Sequence, residues 1–302
     1  RRKNHRSSLG AQPPEAQCMP ELTDSRLARP AGESAVFDVV VGTAAVREAP
    51  DATARLATQV LFGERVDVFD RQGGFSRIRC HRDHYVGWMR SDALSPAIAP
   101  PTHKVAALRT FAYAAPDLKS PVKAMLSLGA RVAVTGTDGD YASCTQAGWI
   151  HTRHLAPEDA RETDVVSVAE RYLNTPYLWG GRDSLGLDCT GLTQQAFEAV
   201  GVRLPRDSDM QFAWAGDDIP DWTASGALER GDLVFWKGHV GIMTDSQHLL
   251  HANAWHMATA REPLAGAIVR IRTQYAEPIG ARRIDVDRLA GQVPHWMAET
   301  VA

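Results

Sequence analysis

A stretch of the N-terminal half is written twice, and that repetition decides how the chain divides. Pro50-Asp51 recurs as Pro116-Asp117, and Phe62-Gly-Glu-Arg-Val66 recurs as Leu128-Gly-Ala-Arg-Val132, both 66 positions on. Gly87-Trp88 recurs as Gly148-Trp149 after only 61 positions, so the second copy is five residues shorter between its middle strands. Each copy is about fifty residues of short β-like runs separated by turn residues. In the first copy the runs are Arg65–Asp70, Phe75–Cys80 and Tyr85–Met89. Pro96, Pro100 and Pro101 mark the boundary after the first copy, and Ala156-Pro-Glu-Asp-Ala marks the next. The expected layout is two small all-β units at 36–97 and 103–157, an α+β domain at 163–285 and a tail at 286–302.

The third unit opens on a helix whose apolar positions are Val165, Val168, Ala169 and Tyr172, with Asp164 as its cap. Its central feature is the glycine-rich run Tyr177-Leu-Trp-Gly-Gly-Arg-Asp-Ser-Leu-Gly-Leu-Asp-Cys189-Thr-Gly-Leu. Leu192, Ala196, Ala199 and Val200 then follow a 3.6-residue period, and Gly201 is a natural stop. Cys189 therefore falls in the first turn of a helix, where free backbone N–H groups and the helix dipole favour a thiolate. A nucleophilic thiol also needs a base. His239 opens His-Val-Gly-Ile-Met-Thr, which reads as a half-buried strand preceded by the Gly231-Asp-Leu-Val-Phe-Trp236 strand. His248-Leu-Leu-His251-Ala-Asn reads as the next strand, placing a second histidine near the first. A thiol, an imidazole and a polar residue that orients it make a nucleophile–base–orienter set.

Six segments together resemble the NlpC/p60-type cell-wall peptidases. They are Pro176-Tyr-Leu-Trp-Gly-Gly, Leu187-Asp-Cys-Thr-Gly, Pro205-Arg-Asp-Ser-Asp-Met-Gln, Gly231-Asp-Leu-Val-Phe-Trp, His239-Val-Gly-Ile and His251-Ala, spread over about residues 164–283. The resemblance implies a papain-like domain with Cys189 as nucleophile, His239 as base and His251 as orienting residue. Tyr177 becomes a side-chain oxyanion donor, Trp179 a cleft wall and Asp188 the brace of the turn before the thiol. Thr190, which the resemblance counts among the substrate contacts, stands where such proteins usually carry serine. The duplicated units resemble bacterial SH3-like barrels.

The arrangement resembles γ-D-glutamyl-L-diamino acid endopeptidases of the dipeptidyl-peptidase VI type. In such proteins the first barrel supplies a glutamate and a tyrosine that close the cleft around a free N-terminal alanine. Glu64 and Tyr85 match these positions, and Asp207 matches the carboxylate that joins them. Arg206 and Ser208 are the expected partners of the D-glutamate α-carboxylate. The implied substrates are peptidoglycan-derived peptides, murein tripeptides or tetrapeptides.

Composition restricts the alternatives. A hydrophobic content of 44% and a charged content of 23% are ordinary for globular domains. The net charge of −3 leaves no basic footprint for nucleic acid, and no apolar run is long enough to span a membrane. No cofactor or metal is required, because HExxH and CxxC patterns are lacking, although Cys189, His239 and His251 offer ligands for adventitious zinc. The scattered cysteines at 18, 80, 144 and 189 fit a reducing compartment. Residues 1–18 lack the apolar core of a secretory signal, so 1–35 reads as a disordered extension with Met19 as a natural start, and the expected location is the cytoplasm. Four other readings stay open: an amidase or acyltransferase on the same scaffold, a wall-remodelling hydrolase acting on intact peptidoglycan, a silent wall-binding protein, and a zinc hydrolase.

Overall fold

The computed structural model describes residues 24–97 and 99–297, so the expected extension 1–18 and start at Met19 lie outside the described residues. The first repeat forms a seven-stranded antiparallel sheet in the order 56–61, 43–47, 86–90, 75–80, 65–72, 35–39, 94–96. Alternation along these strands sends Val39, Val46, Val66, Ile78 and Met89 inward to a common core. A register shift between Val68 and Asp70 bends the longest strand. The second repeat forms a five-stranded antiparallel sheet, 122–127, 109–113, 148–151, 141–144, 134–138, and a three-stranded one built from 131–132, 103–105 and 155–157.

The repeats are fused rather than strung together. Leu61 and Phe62 of the first copy are buried inside the core of the second, beside Val105, Leu126 and Ile150. Arg131 N–H donates to the Phe62 carbonyl at 2.8 Å. Gly63 turns this corner at a φ of +72°, with the Arg131 carbonyl so close that a Cβ would lie 2.0 Å from its oxygen. Only glycine fits there.

In the third unit, helix α1 (Val165–Glu170) starts as expected, with the Asp164 carboxylate accepting from Val166 N–H at 3.0 Å. Helix α2 (Cys189–Ala199) packs on a six-stranded sheet ordered 217–218, 278–283, 233–236, 239–243, 248–253, 258–263. Helix α3 (Ser208–Trp214) and helix α4 (Leu264–Gln274) complete the frame. The His239–Met243 strand is not half-buried as its sequence suggested, because the sheet is covered on both faces. Val240, Ile242 and Leu250 pack toward α1 and α2. Met243 and Leu249 pack on the other side with Leu264 and Ala267 of α4.

The stretch 1–35 was expected to be disordered, yet 24–34 is described and its start is seated. The Arg26 carbonyl accepts from Val86 N–H at 2.8 Å, and Leu27 is buried among Tyr85, Met210, Trp296 and Met297. The tail takes part in the same cluster, with Trp296 stacked on Trp214.

Candidate active site

Cys189 is the first residue of α2, and Asp188 is its N-cap, accepting from Gly191 N–H at 2.7 Å. The other Asp188 oxygen accepts from Gly180 N–H at 2.9 Å, which ties the glycine loop to the helix start. Behind this turn lies Arg206, almost fully buried. Its guanidinium grips both Asp188 oxygens at 3.0 and 2.7 Å, donates to the Thr190 hydroxyl, and donates through Nε to Thr58 Oγ1 of the first repeat at 2.8 Å. The Thr190 hydroxyl also donates to Asp188 at 3.1 Å, so threonine supplies the hydroxyl this brace needs. Arg206 and Thr190 were expected to meet substrate. With its donors spent on the turn that carries the thiol, Arg206 instead offsets the charge of Asp188, since a buried carboxylate requires a partner.

The Cys189 sulfur receives hydrogen bonds from the backbone N–H groups of Val240 and Thr190. Val240 follows His239 directly, so the thiol sits against the strand that carries the imidazole. Burial, reinforced by Asp188, pushes the thiol up to about 12, despite the two N–H donors and Arg206. Burial, with His251 and Arg270 nearby, lowers His239 to about 3. The sequence suggested a standing thiolate. Burial opposes the helix dipole here, and it favours the neutral form of both the thiol and the imidazole.

His239 Nε2 lies 2.8 Å from His251 Nδ1. His251 is fully buried, and its Nε2 lies 2.8 Å from Glu262 Oε1. Arg270 of α4 clamps that carboxylate with both terminal nitrogens, at 2.6 and 3.0 Å. Glu262 and Arg270 were missed in the sequence. They lie beyond the last matching segment, and no local spacing reveals that the 258–263 strand pairs with the His251 strand. Glu262 shares a metal-compatible spacing with His251 and His256, their ligand atoms lying within 4.8 Å of one another. Arg270 places a cation on that carboxylate, which disfavours a second one. The expected zinc-compatible set, Cys189 with His239 and His251, does not form such a cluster among the described residues.

Tyr177 is half-buried, and burial together with the charges of Cys189 and Asp188 raises its hydroxyl pKa. Trp179 is 58% exposed on the same loop. Ser208 is buried at the start of α3.

The expected amine site is only partly assembled. The Tyr85 hydroxyl donates to Asp207 Oδ2 at 3.1 Å. Arg26 reaches the same oxygen at 2.7 Å and also binds Asp24 and Asp209, so Asp207 already has a cationic partner. Glu64 is not at this site. Its carboxylate takes a bidentate pair of bonds from Arg182, both 3.0 Å, and also accepts from Leu61 N–H at 2.7 Å. Glu64 is a bolt between the first repeat and the nucleophile loop, its charge already paired with Arg182 and, at 3.6 Å, with Arg82.

The first repeat nonetheless walls this loop. Gln59 accepts from Arg182 through both its side-chain and backbone oxygens, at 2.7 and 2.8 Å. Leu56 lies so close to Gly180 that a Cβ there would meet its Cγ at 2.8 Å.

Residues 174–275 match the family model described as NlpC/P60 family, and 46–94 match the bacterial dipeptidyl-peptidase SH3 domain. The C-terminal domain is thus similar to the NlpC/P60 family over about a third of the chain. The chain is similar to dipeptidyl-peptidase 6 of Lysinibacillus sphaericus, 35% identical over 35% of this chain. That match spans 38% of the relative's length. It is also similar to a γ-D-glutamyl-L-lysine dipeptidyl-peptidase of Bacillus subtilis, 28% identical over 65% of this chain and 72% of the relative. The crystal structure of an NlpC/P60 family protein from Bacillus cereus shares the fold, with a TM-score of 0.70 at 20% identity over 82% of this chain and 99% of that one.

Proposed function

We propose that this protein is a cysteine peptidase that hydrolyses the γ-D-glutamyl–diamino acid bond of peptidoglycan-derived peptides. The observation that carries the reading is the thiol at the start of α2, lodged against the strand of a hydrogen-bonded histidine pair, with the first repeat walling the loop before it. The similarity to a γ-D-glutamyl-L-lysine dipeptidyl-peptidase of Bacillus subtilis supports the choice of bond.

As the substrate enters, His239 takes the Cys189 proton while sulfur attacks the γ-carbonyl carbon. The oxyanion meets the Cys189 N–H and the Tyr177 hydroxyl. Collapse expels the diamino acid amine, which receives the proton from His239 and leaves a thioester. Water, deprotonated by His239, attacks the thioester, and the thiol is restored as the γ-carboxylate departs. Burial disfavours charge on both groups, so charge separation relies on the oxyanion donors being engaged.

Tyr85 and Asp207 remain the groups placed to meet a free L-alanine amine, and recycling of soluble wall fragments in the cytoplasm belongs to the same proposal. One observation favours a second reading. Arg26 already neutralises Asp207, and Glu64 is spent on Arg182, so discrimination against an amide-linked alanine weakens and intact peptidoglycan becomes admissible. Mass spectrometry of products from L-Ala-γ-D-Glu-diamino acid, with and without N-acetylation, separates the two. Preferential cleavage of the free peptide supports recycling. Equal cleavage supports wall remodelling, and release at any other bond overturns both.

A further inference from the structure

The pair of residues behind His251 determines which nitrogen of the base is basic. His239 and His251 are joined by one hydrogen bond, Nε2 to Nδ1 at 2.8 Å, and two neutral imidazoles can make that bond in either direction. In one direction His239 donates from Nε2 and keeps a lone pair on Nδ1. In the other, His251 donates from Nδ1, and His239 carries its proton on Nδ1, where it cannot accept one from a thiol. An isolated histidine pair has no strong reason to choose.

Glu262 removes the choice. A carboxylate only accepts, so His251 Nε2, 2.8 Å from Glu262 Oε1, must carry the hydrogen. His251 Nδ1 is then an acceptor, His239 Nε2 the donor, and His239 Nδ1 the free base. Register places Glu262 correctly: Ala260 pairs with His251 and Leu249 with Glu262, so Glu262 is the diagonal neighbour of His251 on one sheet face. Arg270 holds the carboxylate in this orientation from α4. The charged or titratable groups facing His251 are His239, His256, Glu262 and Arg270, and the guanidinium discourages full proton transfer to Glu262.

We infer that Glu262, clamped by Arg270, is a positioning residue that acts through His251 to fix His239 in the tautomer with a basic Nδ1. The inference rests on the reading of His239 as the base.

Nitrogen-15 NMR of histidine-labelled full-length protein tests it without turnover. Wild-type His239 should show a protonated Nε2 and an unprotonated Nδ1. Glu262→Ala should give a mixture or the reverse, and Glu262→Gln, whose amide oxygen still accepts from His251 while bound by Arg270, should restore the wild-type pattern. Glu262→Ala should also lower kcat, by about twofold for an even mixture and by up to about ten-thousandfold where the wrong tautomer dominates, with KM nearly unchanged. In a His251→Ala background the same substitution should add no further loss. A wild-type His239 protonated on Nδ1, or a tautomer unchanged by Glu262→Ala, overturns the inference. So does an undiminished loss in the His251→Ala background. Failure of the base reading shows itself separately, as turnover that survives His239→Ala.

Discussion

Glu64 and Arg182 face each other across the boundary between the first repeat and the nucleophile loop, in a bidentate pair with both contacts at 3.0 Å and both side chains almost wholly buried. Arg182 lies seven residues before Cys189 and also donates to Gln195 of α2 at 3.0 Å. The guanidinium therefore connects the repeat, the loop and the helix that carries the thiol.

Breaking that pair should cost stability first. Glu64→Ala removes the bidentate partner of a buried guanidinium and leaves it Glu198 at 3.8 Å, a change worth up to about 3–5 kcal/mol. A drop of this size in urea-unfolding free energy is the expected outcome, and a change below about 1 kcal/mol, as for an exposed pair, would show that the bolt is not buried in solution.

Cys189→Ala should abolish turnover by several orders of magnitude without altering the melting temperature. His239→Ala should be comparably severe. His251→Asn or His251→Gln should cost less than His251→Ala, because a polar side chain can still orient the imidazole. Steady-state kinetics on the γ-glutamyl peptide decide the order.

Alkylation of Cys189 reports the resting protonation state. With the thiol pushed up to about 12 by burial, iodoacetamide should react slowly at neutral pH and faster as pH rises. Rapid, pH-independent labelling near neutrality would instead reveal a standing thiolate–imidazolium pair.

Acid should destabilise the fold through the same site. His239 drops from 6.5 to about 3, so between those values the unfolded chain binds a proton that the folded one refuses. Stability from this group is complete above 6.5 and is lost as pH falls toward 3. The loss is on the order of a few kcal/mol, and His251, lowered in the same direction, adds to it. Urea midpoints measured across this window should fall less steeply in His239→Gln.

Arg26 sets the charge seen by an incoming amine. Arg26→Ala removes the cation hydrogen-bonded to Asp207 and leaves the Tyr85 hydroxyl and the field of Arg206, so KM for the free-amine peptide should fall several-fold while KM for the N-acetylated peptide stays put. Parallel changes in both would show that Asp207 does not meet the amine end.

Much of this was legible in the chain itself, for local reasons. The cap and first turn of α2, the strands of His239 and His251, and the repeated β-units all rest on neighbours within a few residues, and periodicity reports those directly. Glu64, Arg206 and Glu262 were misplaced or missed because their partners lie far away in sequence. A glutamate in a Phe-Gly-Glu turn looks the same whether it awaits an ammonium or is held by Arg182. Arg206 carries no local sign that Asp188 and Thr58 consume its donors. The helix start that favours a thiolate is visible in sequence, whereas the burial that opposes it is created by the tertiary packing around Cys189.

The insertion of Leu61 and Phe62 into the neighbouring repeat gives the duplication a thermodynamic meaning. The first copy keeps a core of its own but also completes that of the second, so cutting the chain between them would leave a hollow in the second and two bare apolar side chains on the first. The two copies should lose structure in a single calorimetric transition. Sequence change in one copy is then tolerated only to the extent that its twin can accommodate it, so the pair drifts as one inherited body.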